Sequence, residues 1–265
     1  MKPPRPRNSP RPHNARRDLG GDQVEGRQAV RELLVAGRRK VYELWVASDD
    51  DRGPLRDLTE LANKTRVTVK RVSAGKLAGA ARTDSPQGVL AHCAPLAEVE
   101  LDALTKRRKG VAPFLVAVDG VTDPGNLGAL LRAAECNGAT GVVLPRHRSV
   151  HITPTVTKAA AGAIEHLAMT VVAGLPSALE SLKAAGVWVV GLDGRGDTLV
   201  DRLTLATEPL VLVLGAEGTG LSPLVRKRCD VLAAIPLRGR LSSLNVAAAA
   251  AIATYEVARL RAGTD

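Results

Sequence analysis

Six short apolar runs mark the second half of the chain, at residues 114–118, 141–144, 169–172, 187–191, 210–214 and 231–235. Stretches with apolar positions at helical spacing, 127–136, 155–163, 177–185, 223–229 and 243–260, separate most of them. Runs that are apolar without alternation predict strands buried on both faces, and strands alternating with helices predict a parallel sheet covered by helices. The first half has shorter elements. Val30, Leu33 and Leu34 form a helical stripe, residues 41–46 read as a strand and 55–62 as a helix. A strand over 67–72, a short helix over 76–80 and a strand over 88–91 complete a small module. The fold class is therefore α/β throughout. Its organisation reads as a tail over 1–20, a small domain over 21–95, a linker over 96–112 and a large domain over 113–265.

Charge adds a partner to this picture. The 265 residues include 37 Lys and Arg against 27 Asp and Glu, a formal net charge of +10, which favours a polyanion such as nucleic acid. Residues 1–17 supply six of the basic side chains, with five prolines and no acid. Proline at that density blocks helix and sheet, so this tail reads as disordered, either lying along phosphates or acting as a solubilising leader. The basic run 106–109 reads as a solvated linker or a phosphate contact.

Five aromatic residues, Tyr42, Trp45, Phe114, Trp188 and Tyr255, are too few for an RNA-binding platform that stacks bases on rings. Cys93, Cys136 and Cys229 are odd in number and far apart, fitting neither a disulfide framework nor a zinc knuckle. The N-terminus lacks the apolar core of a secretory signal, and no apolar run is long enough for a membrane span. A cytoplasmic protein without membrane attachment is expected. His147 and His151 stand four apart without further ligands, so no metal is expected.

Ligands of parallel α/β sheets sit beyond the carboxyl ends of the strands, and three segments there are unusual. In residues 119–132, Asp123-Pro-Gly makes a turn, Asn126 reads as the helix N-cap, and Gly128 leaves room for close approach. Arg132 follows on the helix, with Glu135 placed for an ordinary surface pair. In residues 214–222, three glycines interleave with Glu217. That spacing is neither a dinucleotide fingerprint nor a P-loop, and its only charge would repel a pyrophosphate. A turn rich in glycine or a site for a cationic ligand such as a sulfonium remains. In residues 235–246, Ser242, Ser243 and Asn245 crowd the start of an alanine-rich helix, and capping requires only one of them.

Together these residues resemble the SpoU (TrmH-like) family of the SPOUT superfamily of RNA 2′-O-ribose methyltransferases. Asn126…Arg132 resembles the family's first motif, Gly215-Ala-Glu-Gly-Thr-Gly220 its second, and Ile235–Val246 its third. Leu237 stands where Met is usual, and Ala160 and Ala247 where Ser is frequent. The resemblance implies an α/β-knot domain, in which the C-terminal part threads a loop to make a deep trefoil knot. It implies S-adenosylmethionine held in that knot by Leu214, Gly215, Gly220, Ile235, Leu237 and Leu244. It also implies a homodimer, which suits the alanine-rich last helix.

Residues 24–95 resemble the small substrate-binding domain related to ribosomal protein L30e, through Glu25-Gly-Arg-Gln-Ala-Val-Arg-Glu-Leu and Gln87-Gly-Val-Leu-Ala. Pro86 stands where the family usually has His. The resemblance gives Arg132 the catalytic position, with Asn126, Glu217, Ser243 and Asn245 orienting ribose and arginine. A guanidinium is too weak an acid to serve as a base. Arg132 is therefore expected to stabilise the developing alkoxide while a phosphate or water takes the proton. A guanosine of 23S rRNA in the peptidyl-transferase region is the expected target. The alternatives are a tRNA guanosine, a thiostrepton-resistance-type rRNA adenosine, and a non-catalytic RNA-binding ribosome-assembly protein.

Overall fold

The computed structural model describes residues 19–48, 53–107, 110–147 and 151–263. Most of the basic tail, part of the 106–109 run and the segment between His147 and His151 lie outside the described residues. The first unit contains β1 (Gln23–Glu25), α1 (Arg27–Ala36), β2 (Val41–Ala47), α2 (Pro54–Lys64), β3 (Thr68–Val72), α3 (Ala74–Ala80) and β4 (Val89–Cys93). Its four strands form a mixed sheet in the order β1-β4-β2-β3, around a core of Val30, Leu33, Leu44, Leu55 and Val89. Val30, Leu33 and Leu34, the stripe seen in the sequence, are the buried face of α1.

The second unit begins with α4 (Leu101–Leu104) and β5 (Phe114–Asp119), followed by α5 (Pro124–Cys136) and β6 (Gly141–Pro145). Next come α6 (Pro154–Ala159), β7 (Met169–Val172), α7 (Leu175–Ala184), β8 (Trp188–Leu192) and β9 (Thr198–Leu199). The chain closes with β10 (Leu210–Gly215), α8 (Pro223–Arg228), β11 (Val231–Ala234) and α9 (Val246–Ala262). Seven strands form a sheet in the order β7-β6-β5-β10-β8-β11-β9, parallel at every pairing. Alternate residues of one strand serve opposite layers. Phe114, Val116 and Val118 join Leu127, Leu130, Leu131 and α9 in one core, while Leu115 and Ala117 join Leu179 and Leu182 of α7 in the other. This is the physical content of the unbroken apolar runs. Each fully buried leucine contributes about 2 kcal/mol.

The topology has one unusual step. β8 and β9 are consecutive in sequence yet lie on either side of β11, so the chain crosses that strand between Leu192 and Thr198. The crossing is tight. A Cβ on Gly196 would stand 2.4 Å from the Leu232 carbonyl oxygen, so only glycine fits. A second tight crossing joins α5 to α6, where a Cβ on Gly128 would meet the Ala159 Cβ at 2.4 Å.

The helix expected over 155–163 ends at Ala159, because Ala161 and Gly162 take φ of 50° and 91°, and α4 lies inside the expected linker. Two further departures bear on the site. Asp123 caps α5, its Oδ1 accepting the Asn126 backbone N–H at 2.6 Å, and the helix starts at Pro124. Asn126 is thereby released from the capping role. The last helix begins at Val246 and not at 243, because the Asn245 side chain accepts the N–H groups of Ala247 and Ala248. Among the described residues no helix is long and apolar enough to cross a membrane. Among them, too, no three His, Cys, Asp or Glu side chains converge as for a metal ion.

Candidate active site

The segments after β5, β10 and β11 meet at the carboxyl ends of the central strands. Gly215 is paired in register with Asp119, which brings the β10 loop beside the start of the α5 segment. The Asp119 carboxylate accepts the Ser222 N–H at 2.7 Å and so ties down the far end of that loop. Within it, Ala216 and Gly220 exchange backbone hydrogen bonds of 3.1 and 2.9 Å. A Cβ on Gly215 would lie 2.2 Å from the Gly220 carbonyl carbon, and Gly218 and Gly220 hold φ of +76° and +68°. Glycine is therefore required at these places by closeness or by dihedral angle.

Three of the five side chains expected to act are bonded to one another. Glu217 Oε1 accepts Asn126 Nδ2 and Asn245 Nδ2, each at 2.7 Å, and Asn245 Nδ2 also reaches Asn126 Oδ1 at 3.0 Å. Residues 126, 217 and 245 come from three distant stretches, so only the fold makes this cluster. Asn245 does two things at once: its oxygen caps α9 and its amide nitrogen serves the cluster. Capping and cluster bonding thus use different atoms of that residue. Glu217 Oε2 has no partner among the described residues.

Arg132 and Ser243 are exposed and outside this network. Arg132 forms no hydrogen bond or ion pair among the described residues, and the surface pair with Glu135 is absent. Of the residues expected to hold a cofactor, Leu214 points into the core and Gly215 and Gly220 line the β10 loop. Ile235 packs against the same core, whereas Leu237 and Leu244 keep 39% of their surface each. The exposed backbone of Gly218–Gly220, open space at two glycines, two bare leucines and one carboxylate fit a ligand with a cationic centre and an apolar face. They do not suit a pyrophosphate.

Two carboxylates escaped the sequence reading. Asp119 is one. Asp193, just after β8, accepts the Arg195 N–H at 2.9 Å and Arg226 Nε at 2.8 Å, joining the crossing loop to α8. Burial alone would raise its pKa, but the Arg195 N–H and the Arg226 and Arg195 guanidinium groups prevail and hold the carboxyl at about 2. An acidic residue directly after an apolar strand was the available signal for both.

Comparison with known proteins fits this geometry. The sequence model of the SpoU rRNA Methylase family matches residues 113–255, and that for RNA 2′-O ribose methyltransferase substrate binding matches 23–99. The chain belongs to the SpoU family of RNA methylases. Among its relatives, the 23S rRNA (guanosine-2′-O-)-methyltransferase RlmB of Pseudomonas aeruginosa is 40% identical over 91% of this chain and 97% of its own. YacO of Bacillus subtilis, named for the TrmH family of tRNA/rRNA methyltransferases, is 40% identical over 91% of this chain and 96% of its own. The crystal structure of the SpoU methyltransferase AviRb from Streptomyces viridochromogenes, in complex with AdoMet, superposes with a TM-score of 0.75. It is 28% identical and covers 91% of this chain and 90% of its own.

Proposed function

We propose that this chain transfers a methyl group from S-adenosylmethionine to the 2′-oxygen of a guanosine ribose in 23S rRNA. The observation that carries the reading is the bonded Asn126–Glu217–Asn245 cluster at the carboxyl ends of the strands, with Arg132 on the same helix as Asn126 and without a partner among the described residues. Relatives named as rRNA guanosine methyltransferases support the substrate.

S-adenosylmethionine supplies an electrophilic methyl on a cationic sulfur. Leu214, Gly215, Gly220, Ile235, Leu237 and Leu244 are the residues to hold it, and the Glu217 carboxylate suits its charge. A ribose hydroxyl is a weak nucleophile, so the protein must align it and stabilise the charge growing on its oxygen. Arg132 serves this purpose with its guanidinium donors, and also grips the neighbouring phosphate. The hydroxyl proton leaves to that phosphate or to water, since a guanidinium does not act as a base. Asn126, Asn245 and Ser243 orient the ribose, Asn126 and Asn245 being themselves fixed by Glu217.

In this reading residues 21–95 hold the RNA, the segment 96–112 with α4 connects, and 113–265 carry the chemistry. Strand β11, flanked by β8 and β9, belongs to a knotted C-terminal part. The outer face of α9, with Ile252 38% and Tyr255 56% exposed, supports a homodimer, and the enzyme works in the cytoplasm. The test is incubation with methyl-labelled S-adenosylmethionine and, separately, rRNA and tRNA lacking ribose methylation, followed by mapping. One labelled guanosine in 23S rRNA is expected. Label in tRNA alone overturns the substrate, and label in neither overturns the reaction.

A further inference from the structure

The seam between the small and large units is built around a buried ion pair. Arg39 and Glu165 side chains are only 6% and 1% exposed. Arg39 donates through Nε and Nη2 to the two Glu165 oxygens, at 2.9 and 2.5 Å. Its Nη1 donates to the Gly21 and Ala94 carbonyls, the two ends of the small unit's chain, at 2.5 and 2.7 Å. Arg38 Nη1 reaches the Glu165 carbonyl at 2.9 Å, and Glu32 lies 3.1 Å from His166.

The backbone is stitched in the same way. Entering the small unit, Gly21 N–H donates to the Ile152 carbonyl at 3.0 Å. Leaving it, Val99 N–H donates to Met169 at 2.9 Å while the Glu98 carboxylate accepts the Val171 N–H at 3.0 Å. Two glycines make the approach possible. A Cβ on Gly20 would stand 2.4 Å from the Ile152 oxygen, and one on Gly162 would stand 2.4 Å from the Glu32 Cβ, both at φ +91°. Beyond the seam, α6 touches both sides of the machinery: Lys158 packs by Gly26 at the start of α1, and Ala159 packs on Gly128 of α5, one turn before Arg132.

We propose that the Arg39–Glu165 pair locks the two units into one rigid body, holding the RNA-binding unit at a set distance from Arg132. Arg39 and Glu165 are then positioning residues that select an RNA whose target ribose lies that distance from the region the small unit grips. The inference rests on the RNA reading above. Holding the competent arrangement before RNA arrives removes the cost of finding it, because apparent affinity falls by the fraction of molecules in that arrangement.

The test uses the full chain, with Arg39→Ala and the shape-conserving Glu165→Gln in case the first does not fold. Small-angle scattering measures the spread of interdomain distances, and steady-state kinetics separate KM for folded rRNA from KM for S-adenosylmethionine and from kcat. If a variant occupies the locked arrangement a tenth of the time, KM for rRNA rises about tenfold while the other two constants stay within about twofold. The scattering profile of that variant broadens, and Glu165→Gln falls between it and the wild type. A wild-type profile together with an unchanged KM for rRNA in the variants overturns the lock. A wild-type enzyme that labels no RNA overturns the functional reading instead, and the scattering still decides the lock.

Discussion

Two arginines in two regions of this molecule have opposite surroundings. Arg39, at the seam, is buried, and its guanidinium donates to a carboxylate and two carbonyls. Arg132, on α5, is exposed and bonded to nothing among the described residues. A buried guanidinium is tolerated only when its donors are satisfied, so Arg39 holds structure. An exposed one, on the helix that also carries Asn126, has its donors available for a ligand, and its loss costs the fold little.

The sharpest way to break this comparison is to remove each side chain. Arg132→Ala should lower methyl transfer by about 10²–10³-fold, as losing a donor to a developing oxyanion does, with an unchanged melting temperature. Arg39→Ala should instead cost about 3 kcal/mol by leaving Glu165 buried and unpaired, read as a shifted denaturation midpoint. A melting temperature lowered by Arg132→Ala would collapse the distinction. Arg132→Lys refines it: a forked contact predicts a large loss of activity and a point charge a small one.

Asn245 both caps α9 and bonds the polar cluster, which makes its two variants informative. Asn245→Ala removes the cap of α9 and should cost about 1 kcal/mol together with activity. Asn245→Asp keeps a capping oxygen but places a second carboxylate beside Glu217, so its stability loss should be confined to that repulsion and be relieved by salt, while activity falls. Equal stability losses in the two variants at high salt would separate Asn245 from the capping role.

The remaining effects are protonic. Burial pushes the Cys93 thiol at the seam up to about 11, with Arg39 pulling it back only in part. Folding then retains a proton that the unfolded chain releases near its ordinary value of 9.0, so stability should fall as pH rises from 9.0 toward about 11. Alkylation at pH 8 should modify the exposed Cys136 on α5 well before Cys93, and equal rates would mean the seam opens freely. Asp193 has the opposite sign. Its carboxyl, held at about 2 against an ordinary 3.8, stabilises the fold above 3.8, and that contribution disappears as pH falls through about 2. Asp193→Asn should flatten the acid limb of the stability curve.

The sequence alone determined the α/β class and the types of the longer elements, because burial on both faces leaves unbroken apolar runs and helical stripes that local spacing reveals, whereas the short β1, α4 and β9 left no such pattern. It also presented Asn126, Arg132, Glu217, Ser243 and Asn245 as polar or charged residues beyond apolar strands. Tertiary structure alone decided that Asn126, Glu217 and Asn245 share hydrogen bonds, because residues 119 positions apart meet only when strands and loops are assembled. It moved the α5 cap to Asp123, where either residue had the right chemistry and the turn geometry chose between them. It also decided that Arg39 and Glu165, ordinary charges in the sequence, become a buried pair. Charge is a local property of a residue, whereas burial and partnership are set by the whole fold.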